Sequence, residues 1–204
     1  AQPASSFIPE GHWATTAGLP DYGYDPERAR ELLREAGFPD PAPGESRLRL
    51  TLRTGSDRSR VSIARAIAAM WREVGVDLEV RPSETATLIA DLDGGRFEVC
   101  MLQLPEVIEP HVLTWFFGSQ NIPRAGHPGA NRWRFRSPEL DAALERGRLS
   151  VVRSERQAAY AEASRILASE LPAFPLWHED VVAVVRRGDP YEVPRDGRFG
   201  GLAR

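Results

Sequence analysis

The middle of the chain alternates between segments with the periodicity of a strand and segments with that of a helix. Polar and apolar residues alternate strictly over residues 47–54, which predicts a strand with one buried face. Apolar residues then recur at helical spacing over residues 57–74, and Gly75 ends that helix. Three further segments continue the pattern: the strand "VDLEVRP", a shorter helix in "SETATLIADLDGG" that starts near Ser83, and an apolar strand over residues 97–104.

This order of strand, helix, strand, helix and strand has connections that are long enough to join parallel strands. The sequence therefore predicts an α/β lobe in which a mostly parallel central sheet is flanked by helices. Open sheets of this kind bind ligands beyond the carboxyl ends of their strands, so the loops at those ends are the first places to search for a site.

Four more helices are predicted outside this central pattern. Asp25 is a good N-cap for the first, Pro26 suits its first position and Gly37 ends it. The others are predicted from Glu109 to just before Gly118, from Pro138 with Ser137 as its cap, and over residues 154–170. The segments "PAFPLW" and "VVAVVRR" are interpreted as strands, and the first two dozen residues as an extended lead-in.

Composition narrows the class of protein. The chain has 204 residues, a net charge of -3 and a pI near 5.9, which argue against a general nucleic-acid binder. All 26 basic residues are arginine, so no mechanism that depends on a lysine amine is available. The single cysteine, Cys100, lies in the middle of a predicted strand and is interpreted as a small core residue. No stretch is long and apolar enough to cross a membrane.

The motifs of the common enzyme classes are missing. The chain contains no dinucleotide-binding glycine motif, no phosphate-binding loop with a lysine and no nucleophile elbow. Its four histidines are scattered without metal-ligand spacing, and we expect His178 to be a hydrogen-bonded residue at the end of a strand. We therefore expect no catalytic residues, no metal and no cofactor, and interpret the chain as a binder rather than an enzyme.

Two carboxylates follow the strand over residues 97–104. Glu109 precedes Pro110 at the start of a helix, where a carboxylate can satisfy free N–H groups, so we interpret it as a cap. Glu106 lies just past the carboxyl end of the strand, where no capping argument applies. A carboxylate there can accept hydrogen bonds from an ammonium or guanidinium group, although a solvated loop charge is the alternative.

Arginine alternates with aromatic residues in "NRWRFRSP", residues 131–138. Such a run superficially resembles a nucleic-acid contact, but a few arginines in an acidic chain are weak support for one. We interpret the run as an extended segment with Trp133 and Phe135 on one side and the arginines on the other.

The order of several segments resembles one known family. In chain order these segments are "SFIPEGHW", "YDPERARELLREAGFPD", "IARAIAAMWREVGVDLEVRP", "GGRFEV" and "NRWRFRSPELDAALERGRLSVVRSERQAAYAEASRILASELPAFPLWHED". They are similar to segments of family 5 extracellular solute-binding proteins, the receptors of ABC importers for peptides, nickel and oligosaccharides. The resemblance covers nearly all of the chain. It implies a lobe similar to the type II periplasmic-binding-protein fold, located in the periplasm or outside the cell.

Family members are usually more than twice as long and close two lobes on a ligand, so the resemblance implies a carboxyl-terminal part of such a protein. We expect residues 1–24 to lead in from the first lobe, residues 25–180 to form the solute-binding lobe, and residues 181–204 to return to the first lobe. The signal sequence and any lipid anchor are expected outside this chain. The strand over residues 181–187 is expected to pack on the lobe or to form a dimer contact.

The resemblance also assigns ligand residues one by one. Peptide-binding members carry a tryptophan and an aspartate at the end of the strand, and the aspartate pairs with the amino terminus of the peptide. Glu106 takes the place of that aspartate and Gln103 that of the tryptophan, while Asn131 matches a family asparagine. Trp115 and Trp133 are candidate aromatic walls. The implied ligand is a peptide or another small solute with a cationic group.

The implied partner is an ABC permease in the longer protein, with no nucleic acid involved. Two alternatives stay open from the sequence: an effector-sensing domain of a transcription regulator, and a small α/β hydrolase that uses Glu106 with Glu109 or His178.

Overall fold

The computed structural model describes residues 2–105 and 107–179, together with residues 184 and 186. Five strands and six α-helices occur in these residues, and one short 3-10 turn follows the fourth helix. In chain order they are β1 (Gln2–Pro3), α1 (Pro26–Glu35), β2 (Leu48–Gly55), α2 (Arg58–Glu73), β3 (Val76–Ser83), α3 (Thr85–Asp93), β4 (Val99–Cys100), α4 (Val112–Phe117), the turn Ser119–Asn121, α5 (Pro138–Leu149), α6 (Arg153–Glu170) and β5 (Trp177–His178).

The chain divides into two compact units. Unit 1 combines residues 1–20, 106–113 and 138–204, and unit 2 combines residues 21–105 and 114–137. Unit 2 therefore holds the predicted central pattern of strands and helices. The boundaries expected from the sequence, at residues 24 and 180, stay a prediction.

A three-stranded parallel sheet forms the centre of unit 2, in the order β3-β2-β4. β2 pairs with β3 over its whole length, from Leu48 opposite Val76 to Gly55 opposite Ser83. The prediction of a parallel sheet flanked by helices is confirmed.

One face of the sheet packs on α2. Asp57 caps this helix by accepting hydrogen bonds from the backbone N–H groups of Ser59 and Arg60. The predicted apolar face of α2 is the face that is buried, since its residues join those of the sheet in one core. That core contains Leu52, Ala64, Ala68 and Leu78, with Ile67 and Trp71 packed against it.

β4 is shorter than the sequence predicts. The expected strand covered residues 97–104, but only Val99 and Cys100 pair, opposite Leu52 and Arg53. The reason is register: β2 ends at Gly55, so residues beyond about 102 face no partner strand. The rest of the expected strand therefore leaves the sheet as a loop in which Gln103 is exposed and Leu102 and Leu104 are half-buried.

Helix α1 forms as predicted but buries none of its residues. Asp25 accepts a hydrogen bond from the backbone N–H of Arg28, Pro26 occupies the first turn, and Gly37 has the left-handed φ of +89° that ends the helix. Leu32, for example, is 49% exposed. The local signals that begin and end this helix are therefore confirmed.

Unit 1 is built around α5 packed on α6, together with the antiparallel pair β1 and β5. Ile8 and Ala14 of the lead-in are buried, so this segment contributes to the core of the unit. The strand predicted in "PAFPLW" is reduced to Trp177 and His178, and the strand predicted over residues 181–187 lies, apart from residues 184 and 186, outside the described residues. None of the helices in the described part of the chain has the length and apolarity that a membrane span requires.

Candidate functional site

The loop that leaves β4 contains Gln103, one of the residues expected to bind a ligand. Gln103 is exposed there, and its side-chain oxygen accepts a hydrogen bond from the guanidinium group of Arg60, in the first turn of α2. This pair lies at the carboxyl edge of the parallel sheet, as predicted. Glu106 lies outside the described residues, so its role stays a prediction.

Glu109 does not have the environment that the sequence indicates. Its carboxylate accepts a hydrogen bond from the guanidinium group of Arg156, while its backbone carbonyl accepts one from the N–H of Val112. The carboxylate is thus engaged in an ion pair rather than with the free N–H groups of α4. It holds α6 to the segment before α4 within unit 1.

Asn131 is completely buried. Its amide nitrogen donates to the backbone carbonyls of Phe117, Gly118 and Phe135, and its amide oxygen accepts from the N–H of Phe135. Both ends of the amide are therefore used inside the protein. This geometry holds the loop after α4 to residues 131–135 and leaves no exposed atom for a ligand.

Trp133 is also bound to the protein rather than open to solvent. Its indole N–H donates to the carbonyl of Phe116, 2.9 Å away, and its ring stacks on Phe117 with centroids 6.0 Å apart. Trp133 thus supports the same loop as Asn131.

Trp115 has a different environment, since it lines an open pocket in unit 2 and is 45% exposed. The pocket has a volume of about 630 Å³, the size range of small-molecule sites. Gly94, in the loop that enters β4, belongs to its wall, whereas Gln103 lies in the loop that leaves β4. Of the candidate residues placed by the structure, Trp115 alone lines this pocket.

The charged groups of the pocket are mostly positive. Arg124, Arg132 and Arg134 line it, and Asp93 is the acidic residue of the wall. The Nε of Arg132 donates to the Asp93 carboxylate at 2.7 Å. His127 donates its Nε2–H to the carbonyl of Gln120, because a carbonyl oxygen can only accept.

Arg134 is held in an unusual conformation. Its φ is +56°, in the left-handed region that is costly for a residue with a side chain. Its guanidinium group donates to the carbonyls of Pro123 and Asp93, which fixes the side chain along the pocket wall. Gly95, at a φ of +68°, leaves room for it, because a Cβ there would lie 2.7 Å from an Arg134 nitrogen.

The sequence did not indicate this pocket. The alternation in residues 131–138 does separate Arg132 and Arg134, which line the pocket, from Trp133, which stacks on Phe117. A turn at residues 131–134, in which Arg134 N–H donates to the Asn131 carbonyl, interrupts the expected extended segment. The arginine run was therefore the available signal, but the position of its side chains depends on that turn and on the loop 123–129.

The remaining reactive side chains have structural environments. His178 donates to the carbonyl of Ser6 at 2.9 Å, which confirms the prediction of a hydrogen-bonded histidine at a strand end. Burial raises the pKa of the Cys100 thiol to about 11, which is typical of a core cysteine rather than a reactive one. The described residues contain no group of three or more potential metal ligands placed to hold an ion.

Comparison with known proteins identifies the family. Residues 1–122 match the model of bacterial extracellular solute-binding proteins, family 5 Middle. The chain is 28% identical over 182 residues to the di/tripeptide-binding protein 2 of Pseudomonas aeruginosa, covering 87% of this chain and 33% of that protein. It is 27% identical over 177 residues to the heme-binding protein A of Haemophilus influenzae, covering 86% and 31%.

The fold is shared with the periplasmic binding protein DppA of Helicobacter pylori, an ABC-transporter-associated protein solved with the peptide STSA. The TM-score is 0.74 at 23% identity, over 86% of this chain and 33% of that one. The prediction of a type II periplasmic-binding-protein-like lobe is thereby confirmed. The chain spans about a third of the length of these relatives.

These relatives are named as binding proteins rather than enzymes. Their family is extracellular, which confirms the predicted location in the periplasm or outside the cell. The chain belongs to the bacterial extracellular solute-binding proteins of family 5.

Proposed function

We propose that this chain is the solute-binding part of a receptor that delivers a small solute to an ABC importer. The observation that carries the proposal is the match of residues 1–122 to the solute-binding family, combined with an open pocket of about 630 Å³ in unit 2. Relatives that bind di- and tripeptides or heme, and a structural neighbour solved with a peptide, support a small organic solute.

The proposed solute is a peptide or another small molecule with a cationic group. Glu106 accepts hydrogen bonds from that group, and Gln103 supplies a neighbouring polar contact held by Arg60. Trp115 provides an aromatic wall, because nearly half of its surface is open. Asn131 and Trp133 act indirectly, since their hydrogen bonds hold the end of α4, the helix that carries Trp115.

The proposed partner is an ABC permease, which recognises the receptor after the solute is captured. Residues 181–187 remain a proposed contact for dimerisation or for the rest of the longer protein. Any attachment to the membrane is proposed to be through a lipid anchor outside this chain. No observation on the described residues favours the regulator or the hydrolase over this function.

The test is an NMR titration of the 204-residue chain with trialanine and with N-acetyl-trialanine. The two peptides differ in the charge of the amino terminus. We expect trialanine to shift amide signals in the loop that leaves β4, with weak affinity, because the chain spans a third of its relatives' length. The acetylated peptide is expected to bind about tenfold more weakly, since it lacks the ammonium group.

The variant Glu106→Gln should remove this discrimination, while Glu10→Gln, an exposed carboxylate in unit 1, is the matched control. Equal binding of both peptides, or equal effects of both variants, would show that Glu106 is a solvated loop charge rather than a ligand residue. Absence of any shift with trialanine and with hemin would argue against solute binding by this chain.

A further inference from the structure

The pocket in unit 2 has an excess of positive charge. Three arginines line it and one carboxylate, that of Asp93, faces them. The Asp93 carboxylate is already engaged by the Nε of Arg132. The other two guanidinium groups therefore have no anionic partner within the wall.

Arg134 keeps its full charge although it is firmly held. Its two bonds go to the backbone carbonyls of Pro123 and Asp93, which accept hydrogen bonds but carry no formal charge. Carbonyl oxygens orient a guanidinium group without neutralising it, so its field extends into the pocket.

The guanidinium N–H groups of Arg124 are not used by the residues that the structure describes. Its side chain is exposed on a short hairpin, and it makes no hydrogen bond to any residue that the structure describes. The hairpin itself is fixed, because the backbones of Arg124 and His127 exchange two hydrogen bonds and Gly126 supplies the left-handed residue at a φ of +72°. The guanidinium group therefore stands on a rigid support next to the pocket.

The shape of the pocket also depends on backbone features that a simple surface loop does not need. Gly129 packs so closely on Asn121 that a Cβ would lie 2.0 Å from the carbonyl oxygen of Asn121. Arg134 keeps a left-handed backbone, a conformation that persists where the surroundings enforce it and that often marks a functional site. The exposed indole of Trp115 adds a flat apolar wall.

We propose that this pocket binds a carboxylate or another anionic group of the solute, with the apolar part of the solute against Trp115. As a statement about the transported solute, this rests on the proposed function. The loop with Glu106 was proposed to take a positive group, and this pocket, at the entry to β4 in unit 2, is a separate site with its own test.

The test uses benzoate and benzamide, which share a ring and differ in charge. An NMR titration of the full 204-residue chain follows the indole N–H of Trp115 and the Nε–H signals of Arg132 and Arg134. We expect benzoate to shift these signals with millimolar affinity, and benzamide to bind at least about fivefold more weakly.

Arg124→Gln should weaken benzoate binding about fivefold without disturbing the fold, because its side chain makes no bond that the fold uses. Arg65→Gln is the matched control, since it removes the same charge from the exposed face of α2 in the same unit. Equal binding of benzoate and benzamide, equal effects of the two variants, or shifts confined to residues outside the pocket would overturn the proposal.

The two proposals can fail separately. If benzoate binds at the pocket and trialanine and hemin do not bind the chain, the anion site stands and the proposed transport function is wrong. If trialanine binds and benzoate leaves the pocket signals unchanged, solute binding stands and the anion site is wrong.

Discussion

Unit 1 and unit 2 each bring arginine and tryptophan side chains together. In unit 1 the guanidinium group of Arg156 lies over the rings of Trp13 and Tyr160, at 4.9 and 5.8 Å from their centroids. It also donates to the carbonyl of Gly147 and to the carboxylate of Glu109. In the pocket of unit 2, Arg124 has no partner among the described residues.

The difference between these arginines lies in how many of their donors the protein itself uses. Arg156 is surrounded by two rings, a carbonyl and a carboxylate, so its charge contributes to the stability of unit 1. In the pocket, Arg132 is paired with Asp93, but Arg134 is held only by uncharged carbonyls and the Arg124 side chain has no partner among the described residues. The charges of Arg124 and Arg134 therefore remain available to a ligand. A run of arginines and aromatic residues in a sequence does not distinguish the two cases.

The largest expected effect comes from removing the support of the pocket. Asn131→Ala eliminates the amide that bonds the carbonyls of Phe117, Gly118 and Phe135, and leaves buried groups without partners. We expect a loss of about 3 kcal/mol in the free energy of unfolding, measured by urea denaturation.

Asn121→Ala is the control, because that side chain makes a single bond, to the carbonyl of Thr114. It should cost about 1 kcal/mol. Similar losses for the two variants would show that Asn131 does not organise the loop in the way its contacts indicate.

The second effect tests the comparison directly. Arg156→Gln removes the contacts with Trp13, Tyr160, Glu109 and Gly147, so we expect a loss of about 2 kcal/mol in the free energy of unfolding. Arg124→Gln should change it by less than about 0.5 kcal/mol, since the side chain makes no hydrogen bond or ion pair with the described residues. Both values come from the same urea experiment. A large loss for Arg124→Gln would mean that this arginine is structural too, and would remove the distinction between the units.

Much of the fold could be predicted because its signals are local. Asp25 and Gly37 act where the sequence places them, and the alternation over residues 47–54 gives β2 with an error of one residue at each end. The parallel order of the sheet followed from the lengths of the connections. The length of β4 did not follow, because it is limited by where its neighbour β2 ends.

The candidate site was harder to predict because its residues meet through turns. Trp115 was named from the sequence, but as one of two tryptophans that could not be told apart. What separates them is the stacking of Trp133 on Phe117, a contact between residues 16 positions apart that no periodicity reports. Arg124 was not considered at all, since it lies in a polar loop whose hairpin forms only through the pairing of residues 124 and 127.

The smallest expected effect concerns the hydroxyl of Tyr160 in unit 1. This side chain is completely buried, and burial raises its pKa although the neighbouring guanidinium group of Arg156 lowers it. The hydroxyl lies near Arg156 but meets no partner at hydrogen-bond geometry among the described residues. The desolvation of a buried hydroxyl destabilises the fold when no hydrogen bond offsets it. Tyr160→Phe should therefore raise the free energy of unfolding by up to about 1 kcal/mol.

Tyr24→Phe in unit 2 supplies the contrast, since the exposed hydroxyl of Tyr24 donates to Glu73 at 2.6 Å. Its removal should lower the free energy of unfolding only slightly, because the bond is open to solvent. If Tyr160→Phe instead destabilised the chain, the hydroxyl would have a partner such as a buried water. The aromatic cluster of unit 1 would then contain a polar site. Arg156 would no longer differ from the pocket arginines in having all of its contacts supplied by the protein.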